Sequence, residues 1–287
     1  VSEDVQSGEG IPAASAAGKD LPRLDGMRVL VLFGGTDWFG QERANLEVFR
    51  CLRELGLQAR FVTCGKFGAQ VIQPELTRLG FEWTTAPFGY HWGKYLLGRY
   101  FYYGFFNLYG LVATCWRVWR EARRWRATHV YAPNWLFWMY AAPAIRWVGL
   151  PLIYRAGDQL PWQNWLYRWT SQKLLHDAGR VVCNCEFLRQ RFLAMGVEAD
   201  RMQVIYNHPP FRSLTTTSEL PSVPAGSVVV LYVGQVAEHK GVPVLVGAAE
   251  LLLKQGENLV FWVAGESTWG NQTFSRLQNQ VKAGGWG

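Results

Sequence analysis

The chain has 287 residues, a net charge of +7 and an aromatic content of 15%, with fifteen tryptophans. That length allows two domains or one large one, with the hydrophobic content of a globular protein. The positive balance implies an anionic partner (nucleotide, anionic lipid or nucleic acid), but no nucleic-acid recognition module is visible. Cys51, Cys64, Cys115, Cys183 and Cys185 are odd in number and form no CxxC pair. Without zinc-ligand spacing they are expected to be reduced, mostly buried thiols of a cytoplasmic protein, with no metal role.

Residues 1–26 are small, polar and glycine-rich, without the apolar core of a signal peptide, and read as a disordered lead. A first parallel strand is expected over 27–33, then a glycine loop, then a helix over 41–55 with Leu46, Phe49 and Leu52 facing inward. Gly56 caps that helix and a strand follows over 58–64, which makes a right-handed βαβ unit. Gly35 and Gly40 have P-loop spacing, but Gln41-Glu42 stands where lysine and a hydroxyl residue would hold phosphate and magnesium, so a P-loop is rejected. A helix over 71–79 and a short strand over 81–85 come next. Further strands are expected over 130–132, 152–155, 181–184 and 204–206. Helices over 135–148, 160–175 and 186–195 alternate with them, the last closed by Gly196. Alternation of this kind means an α/β fold with a mostly parallel sheet.

Between 88 and 147 the composition changes. No charge occurs between Arg99 and Arg117, and then Arg117, Arg120, Arg123, Arg124 and Arg126 interleave with Trp116, Trp119 and Trp125. From Phe88 to Arg180, twelve Lys and Arg face only three Asp and Glu. Three readings stand: core aromatics with arginines on the wet face, an interfacial helix on anionic lipid, or a membrane span over 99–117.

Residues 209–226 are rich in Pro, Ser and Thr and read as a linker between domains 27–208 and 227–287. The second domain opens on a β-branched run, Val228 to Val233, expected to be a buried strand. A loop ending in Lys240-Gly241 and a helix over 242–253 follow. A strand over 260–264, ending at Gly265-Glu266, repeats the design, and a helix over 272–281 comes last. A lysine in a loop between a strand and a helix N-terminus favours an anion, usually a phosphate. His91, His129, His176, His208 and His239 show no ligand spacing and read as structural or solvated.

Several segments together resemble the GT-B retaining glycosyltransferases of the group-1 (GT4) type. Phe39-Gly40-Gln41-Glu42-Arg43 is similar to that family's Gly-Gly-Ala-Glu-Arg loop. The stretch 181–196 looks like its strand-helix-glycine segment, and Val204-Ile205-Tyr206-Asn207 like its Val-Ile-x-Asn before the hinge. Leu231 to Gly234, Lys240-Gly241 and Val263-Ala264-Gly265 resemble its donor-domain signature. The resemblance covers about 27–265 and implies two facing Rossmann-like domains, the second incomplete in this sequence.

What the resemblance implies for the site follows position by position. Lys240 is the diphosphate cation and Gly241 starts the helix behind it. Gly234, Gln235, Gly265 and Glu266 line the donor side, with Gln235 where the family usually has an arginine. Gly40 and Gln41 approach the donor phosphates, and Asn207 precedes the hinge. Of the family's His-Asp pair only Asp158 remains, with Gly157 at the histidine position; it orients a hydroxyl or caps the following segment. No glutamate pair of the family's E-x7-E type occurs, so the sequence is expected to be truncated and by itself inactive.

The implied activity moves a sugar, with retention, from a nucleoside-diphosphate donor to a glycan or lipid-linked acceptor in cell-surface polysaccharide or glycolipid synthesis. It needs no cofactor besides the nucleotide sugar. The expected location is cytoplasmic and peripheral on the inner face of the membrane through 88–147. The alternative is a non-catalytic, membrane-docked GT-B-like scaffold or an inactive fragment. A Rossmann dehydrogenase or epimerase lacks its glycine fingerprint.

Overall fold

A computed structural model describes residues 22–34, 40–65, 72–88, 101–160, 165–207, 222–265 and 272–285. Most of the expected lead and linker, Gly35, His91, His208 and Glu266 lie outside the described residues. The chain divides into two compact units, 1–210 and 211–287.

The first unit runs β1 (Arg28–Phe33), α1 (Gly40–Glu54), β2 (Gln58–Cys64), α2 (Ile72–Arg78), β3 (Glu82–Ala86), α3 (Phe101–Arg124) and β4 (His129–Ala132). It continues with α4 (Trp135–Val148), β5 (Leu152–Ala156), α5 (Trp165–Asp177), β6 (Arg180–Cys183), α6 (Glu186–Ala194) and β7 (Met202–Val204). Every strand pairing is parallel, in the order β3-β2-β1-β4-β5-β6-β7. Strand order reverses between β1 and β4, a place where open α/β sheets bind ligands at their carboxyl ends.

β1 shows how the sheet divides two cores. Val29, Val31 and Phe33 join Leu46 and Phe49 of α1 and Phe61 of β2 on one face. Leu30 and Leu32 join the residues of α3, α4, α5 and α6 on the other. A strand buried on both faces reads as a continuous apolar run, which is why RVLVLF is recognisable. Gly34, just past β1, is required by space: an added Cβ would come within 2.6 Å of the Phe137 ring.

α4 is capped at both ends. The Asn134 side chain accepts from the Leu136 N–H, and Gly149 closes the helix with φ 73°. α5 starts at Trp165, later than expected. Leu160 lies outside the helix with its side chain buried, and it precedes Pro161, which disfavours a helical residue before it. β7 ends at Val204, two residues before the expected end. β6, its neighbour among the described residues, stops at Cys183 opposite Val204; the Ile205 N–H makes the last bond, to the Cys183 carbonyl at 2.9 Å, and Ile205 and Tyr206 are exposed.

The membrane-span reading of 99–117 falls. No described helix is long and apolar enough to cross a bilayer. α3 runs along the sheet, burying Asn107, Thr114, Val118, Glu121 and Ala122, and the Tyr140 hydroxyl donates to Asn107 Oδ1 at 2.9 Å. The core-aromatic reading fits Trp119 only in part, because α3 also turns apolar side chains outward. Phe105 is 67% exposed, Tyr109 56%, Val112 62% and Trp116 52%. At spacings of four, three and four they form one stripe. Arg120, lying 4.5 Å from the Trp116 ring, and Arg123 continue it.

The cysteines are less buried than expected. Cys64 and Cys183 are buried, Cys115 and Cys185 half-buried, and Cys51 on α1 is exposed. Its position on the outer face of α1 accounts for this.

The second unit contains β8 (Val228–Val233), α7 (Val242–Lys254), β9 (Leu259–Ala264) and α8 (Thr273–Ala283). β8 and β9 pair in parallel as a two-stranded sheet. The expectation that β8 is buried is not met. Tyr232 packs with Val236, Val242, Val246 and Leu277, whereas Val229, Leu231 and Val233 point outward and are exposed. Two strands and two helices supply cover for one sheet face only, so the run that reads as two-sided core is one-sided here.

Candidate active site

In the first unit the relevant residues gather at the carboxyl ends of β4 to β7 and at the start of α1. Gly40 is the first residue of α1 and exposed; an added Cβ would meet nothing within 4 Å. Gln41 is turned to a structural use: its side-chain Nε2 donates to the Pro133 carbonyl after β4, and its side chain lies beside Gly157 after β5. One turn on, the buried Asn45 donates from Nδ2 to the Gln41 carbonyl at 2.7 Å. It accepts at Oδ1 from the Tyr131 hydroxyl at 2.5 Å.

Tyr131 stands next to Arg155, the fourth residue of β5, which is only 7% exposed. The Arg155 guanidinium donates to Asn207 Oδ1 at 2.5 Å. Burial pushes the Tyr131 phenol up to about 12, opposed by the charge of Arg155 and a hydrogen bond with it. On the opposite face Tyr154 is also raised, by burial first and by the negative charge of Asp158 next.

Asp158 is exposed in the loop after β5, ahead of α5. Gly157 accepts at its carbonyl from Asn184 Nδ2 at 3.0 Å. The other end of that amide, Asn184 Oδ1, is buried and has no hydrogen-bond partner among the described residues. Of the residues expected here, Gln41 and Asn207 thus hold neighbouring strand ends together. Tyr131, Asn45, Arg155 and Asn184 complete the group and were not read from the sequence. A lone arginine inside the apolar strand LIYRA was the available signal.

In the second unit two of the expected residues, Gly234 and Gly265, meet at the strand ends. The Gly234 N–H donates to the Ala264 carbonyl at 2.9 Å, and an added Cβ on Gly265 would lie 1.7 Å from the Gly234 carbonyl oxygen. Gly265 is thus required where the two strand ends meet. The Tyr232 hydroxyl donates to the Gln235 carbonyl at 2.9 Å and fixes the turn out of β8.

Residues Glu238–Lys240 then form a single 3-10 turn, and Gly241 enters α7 with φ 77°, a left-handed conformation that favours glycine. Arg276 of α8 pairs with Glu238 at 2.7 Å and ties the turn to the helix layer. Lys240 and His239 are exposed at the N-terminus of α7. A fixed turn, an exposed ammonium and the positive end of a helix make an arrangement suited to a phosphate. Among the described residues no group of His, Cys, Asp and Glu is gathered as a metal site.

A glycosyl transferase 4-like domain model matches residues 39–208, more than half of the chain. The chain belongs to the glycosyl transferase 4-like family. Among curated proteins nothing matches it. Solved structures do resemble this family member: Anabaena HepE in complex with UDP superposes with a TM-score of 0.62 at 17% identity, over 91% of this chain and 67% of that one. A glycosyltransferase from Rickettsia africae gives 0.61 at 15% identity, over 91% and 66%. Sucrose-phosphate synthase from Thermosynechococcus elongatus gives 0.62 at 13% identity, over 91% and 68%. The chain spans about two thirds of those structures' length. Likeness at this identity establishes a GT-B-like α/β fold.

Proposed function

We propose that the chain serves sugar transfer from a nucleoside-diphosphate donor, with retention, to a glycan or lipid-linked acceptor. The observation that carries this is the turn Glu238–Lys240 at the head of α7, within a chain of glycosyltransferase family and GT-B-like fold. HepE binds UDP and, in other complexes, UDP with glucose and UDP-glucose. On this reading Lys240, the α7 N-terminus and the glycines 234, 241 and 265 receive the donor diphosphate. Negative charge grows on that diphosphate as the sugar leaves, and fixed positive groups stabilise it. Gln235 contributes a neutral amide where an arginine would add charge. In the first unit Gly40 heads α1, and Asp158, exposed in the loop after β5, orients an acceptor hydroxyl. The scheme uses no cofactor beyond the nucleotide sugar.

The lipid part rests on α3. Its exposed apolar stripe passes into arginines, the composition of a helix lying on an anionic membrane surface. A cavity of about 380 Å³ between α3, α4 and α5, lined by Leu111, Met139, Pro143 and Leu174 together with Arg146 and Lys173, has the same mixed character. Peripheral attachment to the cytoplasmic membrane face, in polysaccharide or glycolipid synthesis, follows from this reading.

The test is incubation with nucleotide sugars and lipid-linked or free glycan acceptors. Release of nucleoside diphosphate only when an acceptor is present, with the product's anomeric configuration kept in proton NMR, is the expected result. Inversion would remove retention, and hydrolysis without transfer would remove the acceptor.

A further inference from the structure

Arg155 is a buried charge without a paired carboxylate. It is nine-tenths buried, and among the described residues no carboxylate lies within ion-pair distance. Its recorded partners, Asn207 Oδ1 and Tyr131, are neutral and use only part of a guanidinium with five N–H donors. Burying such a charge is costly when no opposite charge is supplied. Arg60, by contrast, pairs with both Glu82 and Glu121.

Its place adds to this. Arg155 sits near the carboxyl end of β5, where the fold exposes the start of α1 at Gly40. The Tyr131 hydroxyl donates its hydrogen bond to Asn45 Oδ1, so its oxygen is left as an acceptor toward Arg155 and the guanidinium is held in one orientation. One strand over, Asn184 Oδ1 is buried without a partner among the described residues, an acceptor suited to a ligand hydroxyl.

We propose that Arg155 is an oxyanion-binding group and takes a phosphate or carboxylate carried by the acceptor. Its planar fork suits both anions in two-point fashion. Assigning the anion to the acceptor rests on the transfer reading above; its capture by Arg155 does not. A phosphorylated glycan or lipid would supply the phosphate, and an acidic sugar the carboxylate.

The experiment is calorimetric titration of the whole chain at pH 7 and low salt with methyl phosphate and, separately, with acetate. Melting temperatures are recorded without ligand for wild type, Arg155→Gln, Arg155→Lys and Asn207→Asp. Wild type should bind at least one of the anions, and the tighter one identifies the source. Arg155→Gln should lose at least tenfold in affinity, with Arg155→Lys in between.

Asn207→Asp places a carboxylate on the guanidinium. It should abolish anion binding while raising the melting temperature, an outcome that a purely structural arginine would not produce. Equal anion affinity in wild type and Asn207→Asp, or no binding by wild type, would overturn the proposal, even if Arg155→Gln does not fold. UDP titrated into the same wild-type sample separates the two readings. Failure of UDP to bind while methyl phosphate does would sink the transfer reading and leave this site standing.

Discussion

Single residues set the sharpest limits. Gly265 is where β8 and β9 converge, and an added Cβ would overlap the Gly234 carbonyl oxygen. Because the obstacle is backbone, Gly265→Ala should cost at least ~2 kcal/mol of the second unit's stability, read by urea denaturation. An unchanged midpoint would mean that the two strand ends do not meet. Tyr131 gives a pH prediction. Its phenol is held near 12 in the folded chain, above the usual value of about 10 for an unfolded tyrosine. Between those values the unfolded chain gives up this proton while the folded chain keeps it, so stability falls as pH rises through that window. Tyr131→Phe should remove a share of the fall on the order of 1 kcal/mol, seen by comparing denaturation curves at pH 9 and 11. The thiols divide in the same way: Cys51 is exposed, while burial, first among the causes, pushes Cys183 to about 11. At pH 8 a thiol reagent should label Cys51 well ahead of Cys183.

At the scale of elements, α3 carries the membrane prediction. Phe105, Tyr109, Val112 and Trp116 make an exposed stripe that runs into Arg120 and Arg123. Replacing Phe105 and Trp116 by serine should cut co-sedimentation with anionic vesicles several-fold without changing the melting temperature, since neither side chain is in the core. Equal sedimentation with neutral and anionic vesicles would remove the electrostatic part.

Elements were also what the sequence displayed best. β1, β2 and α4 follow from a continuous apolar run, a closing glycine and an Asn-to-Gly frame, all local signals. β7 and α5 were misplaced where a partner strand's end or a proline set the boundary. The buried β8 was misread because an apolar run shows what a strand tolerates, not how many layers cover it. The Lys240 turn was legible because its lysine, left-handed glycine and helix start are contiguous. The Tyr131–Asn45–Gln41 chain and the Arg155–Asn207 bond join residues far apart in the sequence and could be seen only in the fold.

At the scale of the molecule, family membership and a GT-B-like fold bring a parallel seven-stranded sheet and a smaller parallel unit into one chain. The central claim is that the smaller unit receives a nucleoside diphosphate through Lys240 and the head of α7. A charge-assisted hydrogen bond is worth about 1.5–3 kcal/mol, or roughly tenfold to a hundredfold in affinity. Calorimetric titration of the wild-type chain and of Lys240→Ala with UDP therefore tests it most directly. One binding site in wild type, weakened by that factor in a variant with an unchanged melting temperature, is the predicted result. UDP binding of equal strength in both, or none to the folded wild type, would contradict it.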